Sequence, residues 1–502
     1  MPFFRKDFTT NLLAAIILYA TVLVYQGYQY GQGDQTQILP CLWAQDHPGA
    51  YANDHYVQNY LASGTNERTI FHFLLRYFGY ERPWLVWLWH ATSGIGLILA
   101  WIYIASCFIK NRSLQWICIG LILTLGFHTS TGSNELYYNS FIPSVPAKAL
   151  ASWAIYFWLK EKYGVWSVLL ILAGLLQPLV GLQVFLFTTI ALLLESWRKG
   201  GTKLIPWKSI LLFMSGNIIW FYLLISNNGS HSDPKTFMDI MEFRLSHHFF
   251  ASYFGWIHLL IGLIFAITCI TFYSGKLRYA FLAIVACCGI YEIGVEIFRL
   301  PLVLYTQWWK TTIWVEAFAF VAIISYLEKV DFINVFSKKL SLILPALLLA
   351  FVCFYRLSGS FGAKPDYMFP WSSSISDEVA ISKMAFAKTP ESAVFIVPPD
   401  LTAFRWYSKR SSYVDYKAMI HTEAFLKEWY ERIGNVYDYN LASKKIGVNF
   451  SEQAERLLSS LSSERIEQWK SMGITHIISP VANLPNLLLI GKNDSFGLYQ
   501  IP

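Results

Sequence analysis

The segment GQGDQTQILPCLWAQDHPGAYANDHYVQNY, residues 31–60, carries Asp34, Asp46 and Asp54, two histidines, and no lysine or arginine. It follows directly on an apolar run long enough to cross a membrane. A carboxylate at a membrane surface can take a proton from a hydroxyl, so Asp34, flanked by Gly31 and Gly33, is the first candidate catalytic residue. The competing reading is a turn or helix-capping aspartate. Asp54, in YANDHY, is a second candidate for the same site, against a solvated loop acid. Asp46, two residues before Pro48, reads as a turn residue. Glu135, in SNELYYN, is a candidate for binding substrate or, together with Asp34, a metal; oxygen donors of this kind suit Mg²⁺ or Mn²⁺.

Cations near the same surface would serve a charged leaving group. His247 and His248, preceded by Arg244 in RLSHHFF, are candidates for holding a phosphate, against a structural interfacial role. Arg299 and Lys310 add charge, and snorkelling explains them equally well. FRWYSKRSSYVDYK, residues 404–417, groups Arg405, Lys409, Arg410 and Lys417. This is either a solvated face or a surface that meets a phosphate, with Arg405 and Arg410 as the candidate ligands. Glu292, Glu296 and Glu316 fall in or near apolar runs, where carboxylates are costly and point to function, including ion coupling in a transporter. Seven cysteines form no cluster with histidine of metal-ligand spacing.

These residues need elements to position them. The chain has 502 residues, 55% hydrophobic, 17% aromatic and only 14% charged, with mean hydropathy +0.39. A soluble domain carries about a quarter charged residues, so the composition predicts a polytopic membrane protein. Apolar runs fall at 9–26, 84–107, 114–128, 147–160, 164–177, 178–197, 207–225, 255–273, 279–298, 311–327 and 339–356, predicting about eleven spans. With the N-terminus in the cytoplasm, every inside loop is basic: Arg5 and Lys6, Lys110 and Arg112, Lys160 and Lys162, Arg198 to Lys208, Lys276 and Arg278, Lys329 to Lys339. The positive-inside rule therefore places the N-terminus inside and, after an odd number of spans, the C-terminus outside. The net charge of +7 is accounted for by these loops and requires no nucleic acid. The first apolar run lacks a small-x-small cleavage site and reads as a signal anchor.

The division expected is a transmembrane domain over 1–357, with a long first outside loop at 27–83, and an extracytoplasmic domain over 358–502. HYVQNYLAS and TIFHFLLRYFGY in the first loop read as amphipathic helices on the membrane. In the C-terminal region SAVFIVPP, SSYVDYK and ITHIIS read as strands. EAFLKEWYERIGNVY and SEQAERLLSSLSSERIEQWKSMG read as helices, and NLLLI with FGLYQI as a terminal hairpin. Strands alternating with helices predict a small α/β domain.

Taken together, GDQTQILP…YANDHY, RLSHHFF, LLQPLVGL, VPPDLTAFRWYSKRSSYVDYK, EWYER and GITHII resemble a bacterial branch of the GT-C class of membrane glycosyltransferases. The resemblance implies a polyprenyl-phosphate or pyrophosphate sugar donor, a glycan, lipid or protein acceptor, and action at the outer face of the cytoplasmic membrane, in assembly of the cell envelope or its polysaccharide. It assigns the general base to Asp34. The paired acid usual in that class is missing, since Gln35 follows Asp34, and this bears on any metal. Two other classes stay open: a transporter or flippase of a lipid-linked saccharide, and a non-catalytic component of a polysaccharide assembly system.

Overall fold

The computed structural model describes residues 2–132, 134–201, 205–227, 233–330, 375–439, 450–480, 484 and 486–502. Among these, six helices are long and apolar enough to cross a membrane: Asp7–Gln26, Pro83–Ala105, Pro178–Arg198, Trp207–Leu224, Gly275–Ile297 and Pro301–Lys329. Arg112–Gly126, Tyr163–Leu176 and Trp256–Phe272 are apolar but shorter, and Ser144–Leu159 fills the remaining expected run. Each apolar run within the described residues is thus a helix, and the protein is a membrane protein. The expected figure of about eleven spans goes beyond what these helices establish, and the run at 339–356 lies outside the described residues.

The chain forms two compact units. One comprises Met1–Tyr28, Trp84–Leu224 and His247–Tyr367; the other comprises Gln29–Pro83, Ile225–Ser246 and Met368–Pro502.

The first unit holds the apolar helices. Trp101, Trp158, Trp166 and Trp314 are fully buried, and Trp101 stacks on Trp314 with centroids 6.4 Å apart. Gln177 breaks the chain between Tyr163–Leu176 and Pro178–Arg198, and Pro178 opens the second helix, where its missing N–H costs nothing. The two helices meet through glycine: a Cβ on Gly181 would lie 2.5 Å from the backbone of Gly174. Contacts this close are open only to small residues, and in lipid they supply much of the packing energy. The buried His90 ring is satisfied by Tyr19 Oη and the Tyr138 carbonyl, each at 2.9 Å. Helix Gly275–Glu292 runs on into a π-helical turn, Ile293–Ile297.

The second unit holds the first-loop segment and the C-terminal region. The first-loop segment supplies a 3₁₀ turn, Gly33–Gln37, and helices Leu39–Asp46, His55–Ala62 and Thr69–Tyr77. The C-terminal segment supplies a five-stranded sheet of β1 (Val394–Ile396), β2 (Ser411–Ser412), β3 (His476–Ser479), β4 (Leu488–Lys492) and β5 (Gly497–Gln500), in the order β2-β1-β3-β5-β4. β2, β1 and β3 are parallel, and the hairpin β4–β5 adds antiparallel to β3. Helices Asp377–Lys388, Glu423–Tyr437, Phe450–Ser459 and Ser463–Ser471 alternate with the strands. Phe395, Phe404, Ile381, Ile478 and Leu498 fill one core. The fold class is therefore polytopic α-helical with a small C-terminal α/β region.

Candidate functional site

Asp34 lies on the 3₁₀ turn, and the sequence dictates that turn's shape. Gly31 and Gly33 take φ of 71° and 54°, a region that favours glycine. A Cβ on Gly31 would meet Trp406 Cδ1 at 2.3 Å, so only glycine lets the loop pass that indole. Gly33 N–H donates to Thr402 Oγ1 at 3.2 Å, and Gly31 N–H to Gln35 Oε1 at 2.7 Å. Gln32, not Asp34, holds the N-cap position. The Asp34 carboxylate meets Lys417 Nζ at 3.0 Å, both side chains about one-third exposed (35% and 33%). Its charge also acts on Arg68 and Arg244.

Lys417 is presented by a turn gripped on three sides. Asp415 Oδ1 accepts from the Lys417 and Ala418 N–H groups at 2.5 and 2.9 Å, an Asx-type turn. Trp429 Nε1 donates to the Asp415 carbonyl at 2.8 Å. Arg244 donates through Nε to the Tyr416 carbonyl at 2.7 Å and through a terminal nitrogen to the Lys417 carbonyl at 3.3 Å, with its guanidinium 4.4 Å over the Tyr416 ring. Behind the turn, Asp415 Oδ2 pairs with Arg405 at 3.1 Å, and Arg405 Nε donates to Asp54 Oδ2 at 2.9 Å. A line of alternating charge, Asp54–Arg405–Asp415, thus braces the backbone that offers Lys417 to Asp34.

Asp54 is fully buried. Its Oδ1 caps helix His55–Ala62 by accepting from Val57 N–H at 3.0 Å, and its Oδ2 also accepts from Ser412 N–H at 2.9 Å. Arg405 is only 2% exposed; burial opposes its charge, and Asp54 and Asp415 more than restore it, so its pKa stands above the usual range. Arg410 is buried and donates to the Phe386 and Thr389 carbonyls at 2.8 and 2.7 Å. Lys409 places its ammonium 4.3 and 2.9 Å from the Trp43 and Trp406 ring centroids, and burial pushes its pKa down to about 6. Of the four cations in FRWYSKRSSYVDYK, Lys417 alone reaches Asp34 in a described contact. The sequence puts Arg405 and Arg410 forward as ligands and gives Lys417 and Arg244 only as members of their cationic groups, although the Asp-x-Lys spacing of the Asx turn is legible at Asp415 and Lys417.

The other candidates belong to the first unit. Glu135 lines a cavity with room for about one water, together with Gln26, Tyr137 and Glu316, and its carbonyl accepts from Lys148 Nζ. Glu316 accepts from the Thr129 hydroxyl. His247 is exposed and packs at 4.1 Å between centroids against His248, whose Nδ1 lies 3.1 Å from the Gly132 carbonyl. Arg299 adopts φ 48° with its guanidinium 5.9 Å from the Phe250 centroid. Glu292 accepts from Trp309 Nε1 at 3.0 Å, and Glu296 from the Ser252 N–H and hydroxyl at 3.0 and 2.7 Å. Among the described residues no three His, Cys, Asp or Glu side chains gather as a metal site. An ammonium 3.0 Å from Asp34 is ion-pair geometry and does not fit a divalent cation, whose nearest neighbours would be oxygens.

Residues 376–436 match a family described as a domain of unknown function (DUF6798). No curated protein matches the sequence. Among solved structures, the chain is similar to the oligosaccharyltransferase of Archaeoglobus fulgidus tethered to an acceptor peptide, with 11% identity, 96% of this chain and 70% of that chain covered, and a TM-score of 0.42. It is also similar to ArnT from Cupriavidus metallidurans in the apo state, with 11% identity, 98% and 97% covered, and a TM-score of 0.38. Scores at this level describe a likeness in outline.

Proposed function

We propose that this protein is a membrane glycosyltransferase that uses a lipid-linked sugar phosphate as donor, with Asp34 as the general base on the acceptor. The observation that carries the reading is the pairing of the partly exposed Asp34 carboxylate with Lys417, while Arg68 and Arg244 feel its charge. A base and cations side by side suit transfer from a phosphate. The acceptor hydroxyl gives its proton to the Asp34 carboxylate. Its oxygen bonds to the anomeric carbon, and the bond from that carbon to the phosphate oxygen breaks. The polyprenyl phosphate or pyrophosphate departs with the electron pair, and cations stabilise its charge. General-base assistance of this kind contributes about 10²–10⁴-fold. The resemblance supplies the donor class and the setting, the outer face of the cytoplasmic membrane with the C-terminus outside.

A transport function is the second reading, and Glu292, Glu296 and Glu316 in the spanning helices favour it. Two experiments separate the readings. Purified protein is supplied with a panel of polyprenyl-phosphate sugars and candidate acceptors, and Asp34→Asn is compared with wild type. The swap is nearly isosteric, so turnover should fall by about 10²-fold or more with unfolding temperature unchanged. Full turnover in Asp34→Asn would remove the base. Sugar-lipid movement without any transfer product, lost in Glu316→Gln, would favour transport.

A further inference from the structure

We infer that Lys417 is a shared cation: paired with Asp34 in this structure, it passes to the donor phosphate on binding and thereby releases the base. The inference rests on the donor reading above and adds an order of events to it.

Three observations converge. First, three of the surrounding arginines are buried. Arg405 is held between Asp54 and Asp415, Arg410 by the Phe386 and Thr389 carbonyls, and Arg244 by the Tyr416 and Lys417 carbonyls. Second, those same contacts fix the backbone of Lys417 and not its side chain. The Asp415 turn holds its N–H and Arg244 its carbonyl, while the four-carbon stem is one-third exposed. A lysine so placed is a tethered point charge that can exchange one oxygen anion for another at little reorganisation cost. Third, the anion it now holds is the candidate base. A carboxylate paired with an ammonium at 3.0 Å is a weaker proton acceptor than the same carboxylate unpaired, because the cation stabilises its ionised form.

The consequence is ordered binding. Before the donor arrives, Asp34 is held by Lys417 and does not activate water or acceptor. A donor phosphodiester carries one negative charge, as the carboxylate does, and a pyrophosphate carries two; its non-bridging oxygens compete with Asp34 for the ammonium, so the base is released only when there is a sugar to transfer. This guards the donor against idle hydrolysis. No covalent bond to Lys417 forms or breaks.

The test reads binding alone. Full-length protein in detergent is titrated with a polyprenyl monophosphate carrying no sugar, and separately with inorganic phosphate, each followed by microscale thermophoresis. Lys417→Met should weaken binding of the lipid phosphate about tenfold or more, as expected for loss of a charge-assisted hydrogen bond. Asp34→Asn should tighten it, by about threefold or more, because the competing anion is gone. In the double variant that gain should vanish. A merely structural ion pair predicts unchanged or weaker binding in Asp34→Asn, and either result overturns the inference while leaving the donor reading intact. If the wild type binds no polyprenyl phosphate, the donor reading fails and the shared cation with it. Inorganic phosphate responding with the same signs would support the exchange and assign recognition to the phosphate group, not the lipid.

Discussion

Replacing Asp54 by asparagine removes one negative charge from a fully buried site. The native carboxylate accepts three hydrogen bonds, from Val57 N–H at the start of a helix, from Ser412 N–H beside β1, and from Arg405 Nε. Asparagine keeps one acceptor oxygen. If that oxygen stays on Arg405 and Ser412, the amide turns two donors toward Val57 N–H and the helix loses its cap, about 1 kcal/mol. Arg405 is left with Asp415 as its one carboxylate, and breaking half of a buried ion pair costs about 3–5 kcal/mol. The retained oxygen argues for the lower end, giving a loss of about 4 kcal/mol. In a unit of roughly 200 residues each kcal/mol moves the midpoint by about 2–4 °C, so unfolding should come on the order of 10 °C earlier. Thermal unfolding of purified full-length protein, followed by intrinsic tryptophan fluorescence, measures this; Trp406 and Trp429 lie in the affected unit. Asp34→Asn serves as the control, because its partly exposed pair is worth about 1 kcal/mol or less. Should Asp54→Asn unfold with the wild type yet lose turnover a hundredfold, Asp54 acts in the chemistry and the bracing role is refuted.

Further outcomes follow from other contacts. Burial pushes Lys409 down to about 6, with Glu81 offsetting part of the effect, against about 10.4 for an unfolded lysine; between those values the unfolded chain binds more protons, so the contribution to stability rises with pH. Lys409→Met should therefore raise the unfolding temperature at pH 7 and lose that advantage by pH 10, and a less stable variant at pH 7 would mean that the two indole faces outweigh burial. Gly181→Ala should lower the yield of folded protein and its unfolding temperature by an overpacking cost of about 1–3 kcal/mol, since the new Cβ meets Gly174 backbone; a neutral result would show that the two helices can separate freely. Cysteines introduced near Ser360 and Gly200 should be labelled by an impermeant reagent from the outside at the former only, and the reverse pattern would invert the topology read from the basic loops.

The elements were legible where a local signal sufficed. SAVFIVPP and ITHIIS became β1 and β3 because short apolar runs closed by proline or polar residues have few alternatives to a buried strand. NLLLI and FGLYQI paired as β4 and β5 around Asn493, whose side chain accepts from the Ser495 and Phe496 N–H groups. Two helices were passed over. Asp377–Lys388 has a serine cap and acids in its first turn, but its buried positions include Ser382 and Ala385, so no apolar stripe announces it. Pro234–Phe249 is the second: Asp233 accepts from Thr236 N–H and Pro234 opens the helix.

The site was less legible, for a reason visible in residues 405 to 417. A sequence supplies the types Arg405, Lys409, Arg410 and Lys417 in one stretch, and by type the arginines are the better phosphate ligands. Folding reverses that ranking, because a ligand must be presented to its partner, and both arginines are buried. Arg405 is bound to Asp54, 351 residues away, and no local pattern encodes a partner at that distance. Arg410 is bound to main-chain carbonyls, which every residue possesses. Lys409 is enclosed between two indoles. Lys417 has a backbone pinned by its neighbours and a side chain, one-third exposed, that meets a carboxylate. The cations most prominent in the sequence therefore build the support, and the one that support presents is the one able to change partners.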